Sequence, residues 1–338
     1  MQCIDNADIT QLNTFGVQAK AKKLWQVKSE QEFSELASRY QQTERPLLLG
    51  GGSNLLFEGD FDGEIFHIQT QGVEYSTVSQ DQVEVRAQAG ENWHQLVQQT
   101  LASGLSGLEN LALIPGTVGA APIQNIGAYG LELKDRLVTV ETIDLKHNER
   151  LVFAQQDCQF GYRDSLFKQN LGRYLITAVT FKLSTRFSPV LNYAPLTELA
   201  QAKNLTAMDV FNCVVATRRE KLPDPSQIGN AGSFFKNPII ASSHAEELKL
   251  QFPNMPIYPV DEHSTKVAAG WLIDQLGLKG FRDGDIGIHK KQALVLVNYG
   301  KGSGRALNEL ANSIIKKVYQ QFAIELEKEV RIISDRGQ

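Results

Sequence analysis

Two glycine-rich runs carry the residue types and spacing that could do chemistry: LGGGSNLLF from Leu49 to Phe57 and LIPGTVGAAPIQNIGAYG from Leu113 to Gly130. Each drops from apolar, strand-forming residues into several glycines with few charged side chains, as a chain must where its backbone presses against a large ligand. Two such backbone cradles on one protein suggest a dinucleotide. Neither run fits G-x-G-x-x-G or G-x-x-x-x-G-K-[ST], so the Rossmann and P-loop readings have no support. Taken singly, each run also reads as an ordinary tight turn. The sequence contains no G-x-S-x-G elbow for a hydrolytic serine, and its six histidines are scattered without a metal-spacing pair, reading as surface or core residues.

Composition narrows the class further. The chain has 338 residues, 42% of them hydrophobic and 21% charged, with a net charge of -4. That is a globular composition, without the basicity that recruits nucleic acid, and its length predicts two or three domains with a cleft between them. No apolar run approaches the roughly 20 residues of a membrane span, and the N-terminus has no signal-peptide pattern. The expectation is a cytoplasmic protein with no membrane or nucleic-acid partner. Cys3, Cys158 and Cys213 lie far apart with no C-x-x-C pair, so they read as structural thiols rather than as a disulfide framework or zinc site.

The elements that must position the two runs show in the periodicity. Ser29 with Glu32 makes a capping box ahead of Phe33, Leu36, Ala37 and Tyr40, at the spacing of an amphipathic helix. Strands are predicted over 46–49, 64–68, 83–87, 138–145 and 175–183, the last apolar on both faces. Asn92 caps a helix with Trp93, Leu96, Val97 and Leu101 on one face and Gly104 at its end. Leu307, Leu310, Ala311, Ile314, Ile315, Val318, Tyr319 and Phe322 predict a second long helix. A strand with Ile324, Leu326, Val330 and Ile332 on one face follows, and places Glu325, Glu327, Glu329 and Arg331 on the other. Loops are expected over 223–232 and 300–304. The fold class is α+β with mixed sheets and a domain boundary near residue 184.

LGGGSNLLF, LIPGTVGAAPIQNIGAYG, GYRDS (161–165), TRREKLPDP (217–225), AGSFFKNP (231–238) and the terminal EVR (329–331) occur together in this order. In this the chain resembles the UDP-N-acetylenolpyruvoylglucosamine reductase family from about Asn13 to Arg331. LNYAPL (191–196) is similar to the tyrosine loop of the family's long form. Lys328 departs from the pattern, which often has proline there, and leaves the chain path just ahead of Glu329 open. The resemblance implies an α+β protein: a two-lobed FAD-binding module of the vanillyl-alcohol oxidase (PCMH) type over 13–183, with lobes of about 13–70 and 71–183, and a C-terminal α+β substrate domain over 184–338. The last strand, 324–333, could return to the first lobe.

The activity implied is reduction of UDP-N-acetylglucosamine enolpyruvate to UDP-N-acetylmuramate in peptidoglycan precursor synthesis, with NADPH as co-substrate and FAD bound non-covalently, since LGGGSN offers no histidine for attachment. Gly51, Gly52, Ser53, Asn54 and Leu55 would nest the pyrophosphate. Pro115, Gly116, Gly119, Ala120, Gln124, Asn125, Ile126 and Gly127 would lie along the rest of the flavin, with Arg218 at its side. Hydride addition at the vinyl carbon puts negative charge on the adjacent carbon and its carboxylate, so the protein must stabilise that charge and supply a proton. Arg163 corresponds to one stabiliser, Glu329 to a second that can donate a hydrogen bond only when protonated, and Ser233 to the proton donor.

Tyr193, Lys221, Asn237, Tyr258, Lys266, Gln292 and Arg331 correspond to substrate contacts, Tyr193 closing over the diphosphate or positioning the nicotinamide. Each residue has a plainer reading as well: an ion pair of Arg163 with Asp164, a solvated strand face for Glu329, a turn serine for Ser233, a surface role for the rest. A monomer is expected by analogy. An FAD-dependent oxidase of the same fold and a non-catalytic flavin or UDP-sugar binder are the alternatives.

Overall fold

The structure is a computed structural model that describes residues 1–334. The chain forms two compact units: Met1–Ala7, Ala21–Gly52 and Asp62–Glu220 make the first, and Asp8–Lys20, Ser53–Phe61 and the chain from Lys221 onward make the second.

The first unit contains two large sheets and a two-stranded one, Gly127–Ala128 with Leu131–Glu132. One has the order Gln2–Asp8, Lys20–Val27, Phe61–Ile68, Pro46–Leu49, the last two strands parallel. Over it lies the helix Phe33–Gln42, started where Glu32 accepts from the Ser29 amide at 3.0 Å and held by burial of Phe33, Leu36 and Ala37 with Trp25, Val27 and Phe66. The second sheet, antiparallel throughout, has the order Glu149–Ala154, Leu137–Asp144, Tyr174–Ser184, Gln82–Gln88, Val73–Ser79. Its central strand is buried on both faces, as its unbroken apolar pattern requires.

The helix Trp93–Ala102 packs Trp93, Leu96 and Val97 into the core of this sheet. Asn92 accepts from the Gln95 amide at 3.0 Å, and left-handed Gly104 closes the far end with Gly104 N–H to Leu101 O and Leu105 N–H to Thr100 O.

Compactness divides the chain between Glu220 and Lys221, not near residue 184. The reason is an unexpected helix, Ala207–Lys221, beyond residue 184. Thr206 and Asp209 cap it reciprocally, and it buries Val210, Phe211, Val214 and Val215 in the core of the first unit.

The second unit has two three-stranded sheets, Ile239–Ala241, Ser264–Val267, Ile257–Pro259 and Arg282–Asp283, Ile286–Ile288, Leu296–Asn298, around the helix Gly304–Phe322. That helix buries Leu307, Ala311, Ile314, Val318 and Phe322, leaving Tyr319 exposed. Its first residue must be glycine, because a Cβ at 304 would stand 1.7 Å from the Phe57 carbonyl oxygen. The strand expected over 324–333 is much shorter in the structure. Only Arg331–Ile333 is strand, pairing in parallel with Leu55–Phe57 of the same unit, while Ile324, Leu326 and Val330 keep the inward alternation on extended chain. A few residues ahead of the strand, the chain spends its hydrogen bonds on residues 234–236 instead.

The turn joining Leu137–Asp144 to Glu149–Ala154 hangs on Asp144, which is 2% exposed. Desolvation of its carboxylate opposes ionisation, but hydrogen bonds from Arg173 (2.9 Å), His147 and the Lys146 amide outweigh it and hold the pKa at about 2. A depressed carboxyl stabilises the fold above its unfolded pKa near 4 and loses that contribution as pH falls toward 2. Asp144→Asn should therefore melt several degrees below wild type at pH 7, and the gap should close between about pH 4 and pH 2. Thermal denaturation across that range checks it, and a gap independent of pH would contradict the ionised role.

Candidate functional site

In the first unit the glycine run is laid against residues 89–94. Gly119 N–H donates to Ala89 O at 2.8 Å, Val118 N–H to Glu91 O at 2.9 Å and Trp93 N–H to Gly116 O at 3.1 Å. A Cβ at 119 would sit 2.6 Å from the Ala89 Cβ, and one at Gly51 would sit 3.1 Å from the Gly116 Cα. For these two glycines the close neighbour is therefore the chain itself, and the two runs touch backbone to backbone at Gly51 and Gly116. Gly52 and Gly116 have φ of +62° and +117°, open to glycine and strained for most other residues.

Beside that contact lies a cavity of about 70 Å³ with a mostly apolar lining that includes Leu49, Gly50, Thr117, Gly119, Ala120 and Ile123. Both runs thus line one slot, narrow and nearly free of charge. At about 70 Å³ it is a small apolar void between the runs, well under the size of a ligand pocket. His67 faces Leu49 in the neighbouring strand and hydrogen-bonds the Gly50 backbone; burial lowers its pKa, so it carries no competing charge near neutral pH.

Further along the run, Asn125 is fully buried and left-handed, with its amide donating to Glu132 at 2.9 Å and to Gly161 O at 3.1 Å. Its side chain is committed to holding the GYRDS turn. That turn closes with Gly161 N–H to Asp164 O at 3.0 Å, and Arg163 occupies it with φ +53°. Arg163 donates from Nη2 to Gly127 O at 3.0 Å, its own carbonyl accepts from Lys168 at 2.9 Å, and Ser165 fastens the turn to Ile123 O at 2.6 Å. Arg218 donates to Leu113 O at 3.2 Å, and desolvation, together with the nearby Arg163 charge, lowers its pKa. Tyr193 is half exposed, its ring edge-on to Tyr129 with centroids 6.2 Å apart. Ile126 is buried, Gln124 half-buried and Pro115 exposed.

In the second unit, residues 234–236 and 327–329 run antiparallel. Glu329 N–H donates to Phe234 O at 2.8 Å and Lys236 N–H to Glu327 O at 2.9 Å, so the backbones of Ser233 and Glu329 are near neighbours across the pair. Asn54 joins them: its amide donates to Glu329 O at 3.2 Å, and its carbonyl accepts from Arg331 N–H at 3.1 Å. Glu329 and Arg331 are half-buried where Glu325 and Glu327 are exposed, so the charged face is not uniformly solvated. The path before Glu329 is fixed as well. Lys328 lies opposite Phe235, and its ammonium donates to Asn308 at 2.6 Å and Asn312 at 2.7 Å.

Asn237, Tyr258, Lys266 and Gln292 also lie in this unit. Lys266 lies between Ile239 and Tyr258 in its sheet, Asn237 accepts from the Ala269 amide at 3.0 Å, and a Cβ at Gly270 would stand 3.2 Å from the Gln292 amide oxygen. Lys221 is exposed at the end of its helix. Burial pushes the Cys158 thiol up to about 12, an inert group. Among the described residues no group of three or more His, Cys, Asp and Glu is placed to hold a metal ion, and no helix is long and apolar enough to cross a membrane.

Residues 21–149 match the FAD-binding domain family, and residues 224–333 match the C-terminal domain of UDP-N-acetylenolpyruvoylglucosamine reductase. Reductases of that name from Pseudomonas putida and Chromobacterium violaceum are 44% and 46% identical to the chain, each over 97% of it and 98% of the relative. The chain belongs to the UDP-N-acetylenolpyruvoylglucosamine reductase family. The crystal structure of the reductase from Thermus caldophilus, 25% identical, covers 98% of both chains with a TM-score of 0.65.

Sequence reasoning missed four residues that shape this reductase's first unit: His94, Asn110, Glu132 and Lys168. Each acts by holding a backbone turn or another side chain, which leaves no spacing signal; only their nearness in sequence to a glycine run or to GYRDS marks them. Gly127 is also sharply constrained, since a Cβ there would lie 3.1 Å from Leu131 O and Glu132 Cγ and 3.2 Å from Arg163 Nη1. Gly127→Ala should displace the guanidinium and lower turnover by roughly 10²-fold while the protein stays folded. Steady-state rates beside a thermal melt test this, and an unaltered rate would show that Arg163 does not need this seat.

Proposed function

We propose that Arg163, Ser233 and Glu329 carry the chemistry of a UDP-N-acetylmuramate-forming reductase, in which NADPH is the reductant and the UDP-sugar is gripped by Tyr193, Lys221, Asn237, Tyr258, Lys266, Gln292 and Arg331. The activity itself follows from family membership. The chain is an FAD-dependent oxidoreductase that reduces the enolpyruvyl group of UDP-N-acetylglucosamine enolpyruvate. FAD, when bound, supplies the two-electron store between nicotinamide and substrate. The glycine nest from Gly51 to Leu55 and the run including Pro115, Gly116, Gly119, Ala120, Gln124, Asn125, Ile126 and Gly127 would hold it by main chain, beside Arg218.

Charge then decides the roles. A guanidinium stays protonated throughout the working pH range and holds carboxylate oxygens in two-point geometry, which suits Arg163 to the negative charge that grows on the substrate carboxylate. Ser233 gives its hydroxyl proton to the carbon bearing that carboxylate, a strong enough base to take it. Glu329 donates a hydrogen bond to the same charge from a protonated carboxyl. The observation that carries this reading is the backbone pairing of 234–236 with 327–329, which makes Ser233 and Glu329 neighbours although they lie 96 positions apart in the sequence, as 329 less 233 shows. Cytoplasmic location and a monomeric state complete the proposal.

Half-reactions separate the roles. Wild type should be yellow, bleach with NADPH and recolour with UDP-N-acetylglucosamine enolpyruvate. Ser233→Ala should keep the bleaching and lose recolouring by about 10²-fold or more. If both steps survive in Ser233→Ala, serine is not the donor. Recolouring by air alone, as fast as by the sugar, would favour an oxidase. The Glu329→Gln variant should lose the pH dependence of recolouring that wild type shows, and identical profiles would remove the carboxyl from the mechanism.

A further inference from the structure

The segment from Ala89 to His94 makes five hydrogen bonds to residues 111–119, the start of the glycine run and its approach. Four use groups that do not titrate: Gly119 N–H to Ala89 O, Val118 N–H to Glu91 O, Trp93 N–H to Gly116 O, and the Trp93 indole to Leu111 O at 2.8 Å. The fifth runs from Leu113 N–H to His94 Nδ1 at 3.0 Å. An amide can only donate, so Nδ1 must be bare and the proton must sit on Nε2. The residue held this way is left-handed, with φ +57°, a conformation a leucine adopts only when its surroundings impose it.

The imidazole is itself fixed. Its ring stacks on Phe211 with centroids 5.6 Å apart and planes within 2°, and Arg218 holds the Leu113 carbonyl from the other side. The charged groups that face it are Arg218 and Arg219, both cationic, on the helix Ala207–Lys221. Burial and those two charges all disfavour a second proton, so the ring is neutral at working pH.

We propose that His94 is a positioning residue for the flavin: its neutral ring pins Leu113 in the left-handed conformation, sets the backbone of Ile114, Pro115 and Gly116 for the cofactor, and releases it on protonation. This rests on the reading of the 113–130 run as flavin contact. Protonation would point an N–H at an N–H, so the bond is intact at pH 6.5 and above and is lost only at lower pH, as the pH falls through the lowered pKa of the folded protein.

Two substitutions separate this from a packing role. His94→Phe keeps a flat ring for Phe211 and has no acceptor; His94→Gln offers an acceptor that does not titrate. FAD dissociation constants measured by flavin fluorescence at pH 7.5 and 4.5 should weaken toward acid in wild type, by up to the roughly tenfold loss that His94→Phe shows at both values, and stay tight at both in His94→Gln. Tight binding by His94→Phe at both pH values would overturn the proposal. Should that variant not fold, His94→Gln decides against wild type, and the same acid weakening in both would overturn it. Failure of wild type itself to bind FAD at pH 7.5 would sink the flavin-contact reading instead. Nitrogen NMR of wild type at pH 7.5 should show Nδ1 unprotonated, and a proton on Nδ1 would also overturn the proposal.

Discussion

The first unit depends on one close approach of main chain to main chain. Residues 116–119 lie against residues 89–93 at a separation that leaves no room for a methyl group at 119, and Gly51 meets Gly116 in the same way. Ladder-like hydrogen bonds at this distance fix the run without any side chain from it. Since backbone satisfies backbone on one side, the residual amides are what the run can offer a ligand. A cofactor bound like this is recognised by shape and by dipoles, and covalent attachment or paired charges are unnecessary.

The second unit solves a different problem, placing ionisable groups where apolar packing would exclude them. The pairing of 234–236 with 327–329 does so by backbone bonds, while the side chains of Phe234, Phe235, Leu326 and Val330 are spent on the core. Lys328 shows how little the pairing asks of the intervening residue. The bonds across the pair come from residues 236 and 329, with Lys328 opposite Phe235 between them. A proline, which has no N–H, suits that position as well as a lysine does, whereas the lysine adds two hydrogen bonds to Asn308 and Asn312.

Elements whose formation is local were legible in the sequence. The Asn92 cap, the Gly104 end and the strand Tyr174–Ser184, apolar on both faces, all stand where the sequence pattern puts them, because capping groups and burial patterns lie within a few residues of what they control. What escaped depends on distant partners. The helix Ala207–Lys221 sits in the core of the first unit, beyond the expected boundary, since Phe211 and Val214 find their partners about a hundred residues upstream. The terminal strand shortened for the same reason, as residues 327–329 had a better offer from 234–236. Of the site, the glycine runs and the motif residues were legible through their order along the chain. His94 was not: an isolated histidine in a helical pattern reads as surface, and only the φ of Leu113 reveals what it does.

That φ is one of a set. Among the described residues, Leu113, Asn125, Tyr129 and Arg163 of the first unit are all left-handed, though none is glycine, and all border the glycine run or GYRDS. Each such residue costs roughly 1 kcal/mol or more, and left alone the run would relax. Each is met by a polar partner: His94 and Arg218 on Leu113, Asn125's own amide on Glu132 and Gly161, Asn110 on the Tyr129 carbonyl at 2.9 Å, and Lys168 on the Arg163 carbonyl. A hydrogen bond contributes about 1 kcal/mol net, so strain and fastening come out nearly level. A shape held by such a balance is set before any ligand arrives, and so no part of the binding energy of a flavin need be spent on folding its own cradle. It also makes the fasteners sensitive points, because removing one tips that balance toward relaxation, at positions far too plain in sequence to attract notice.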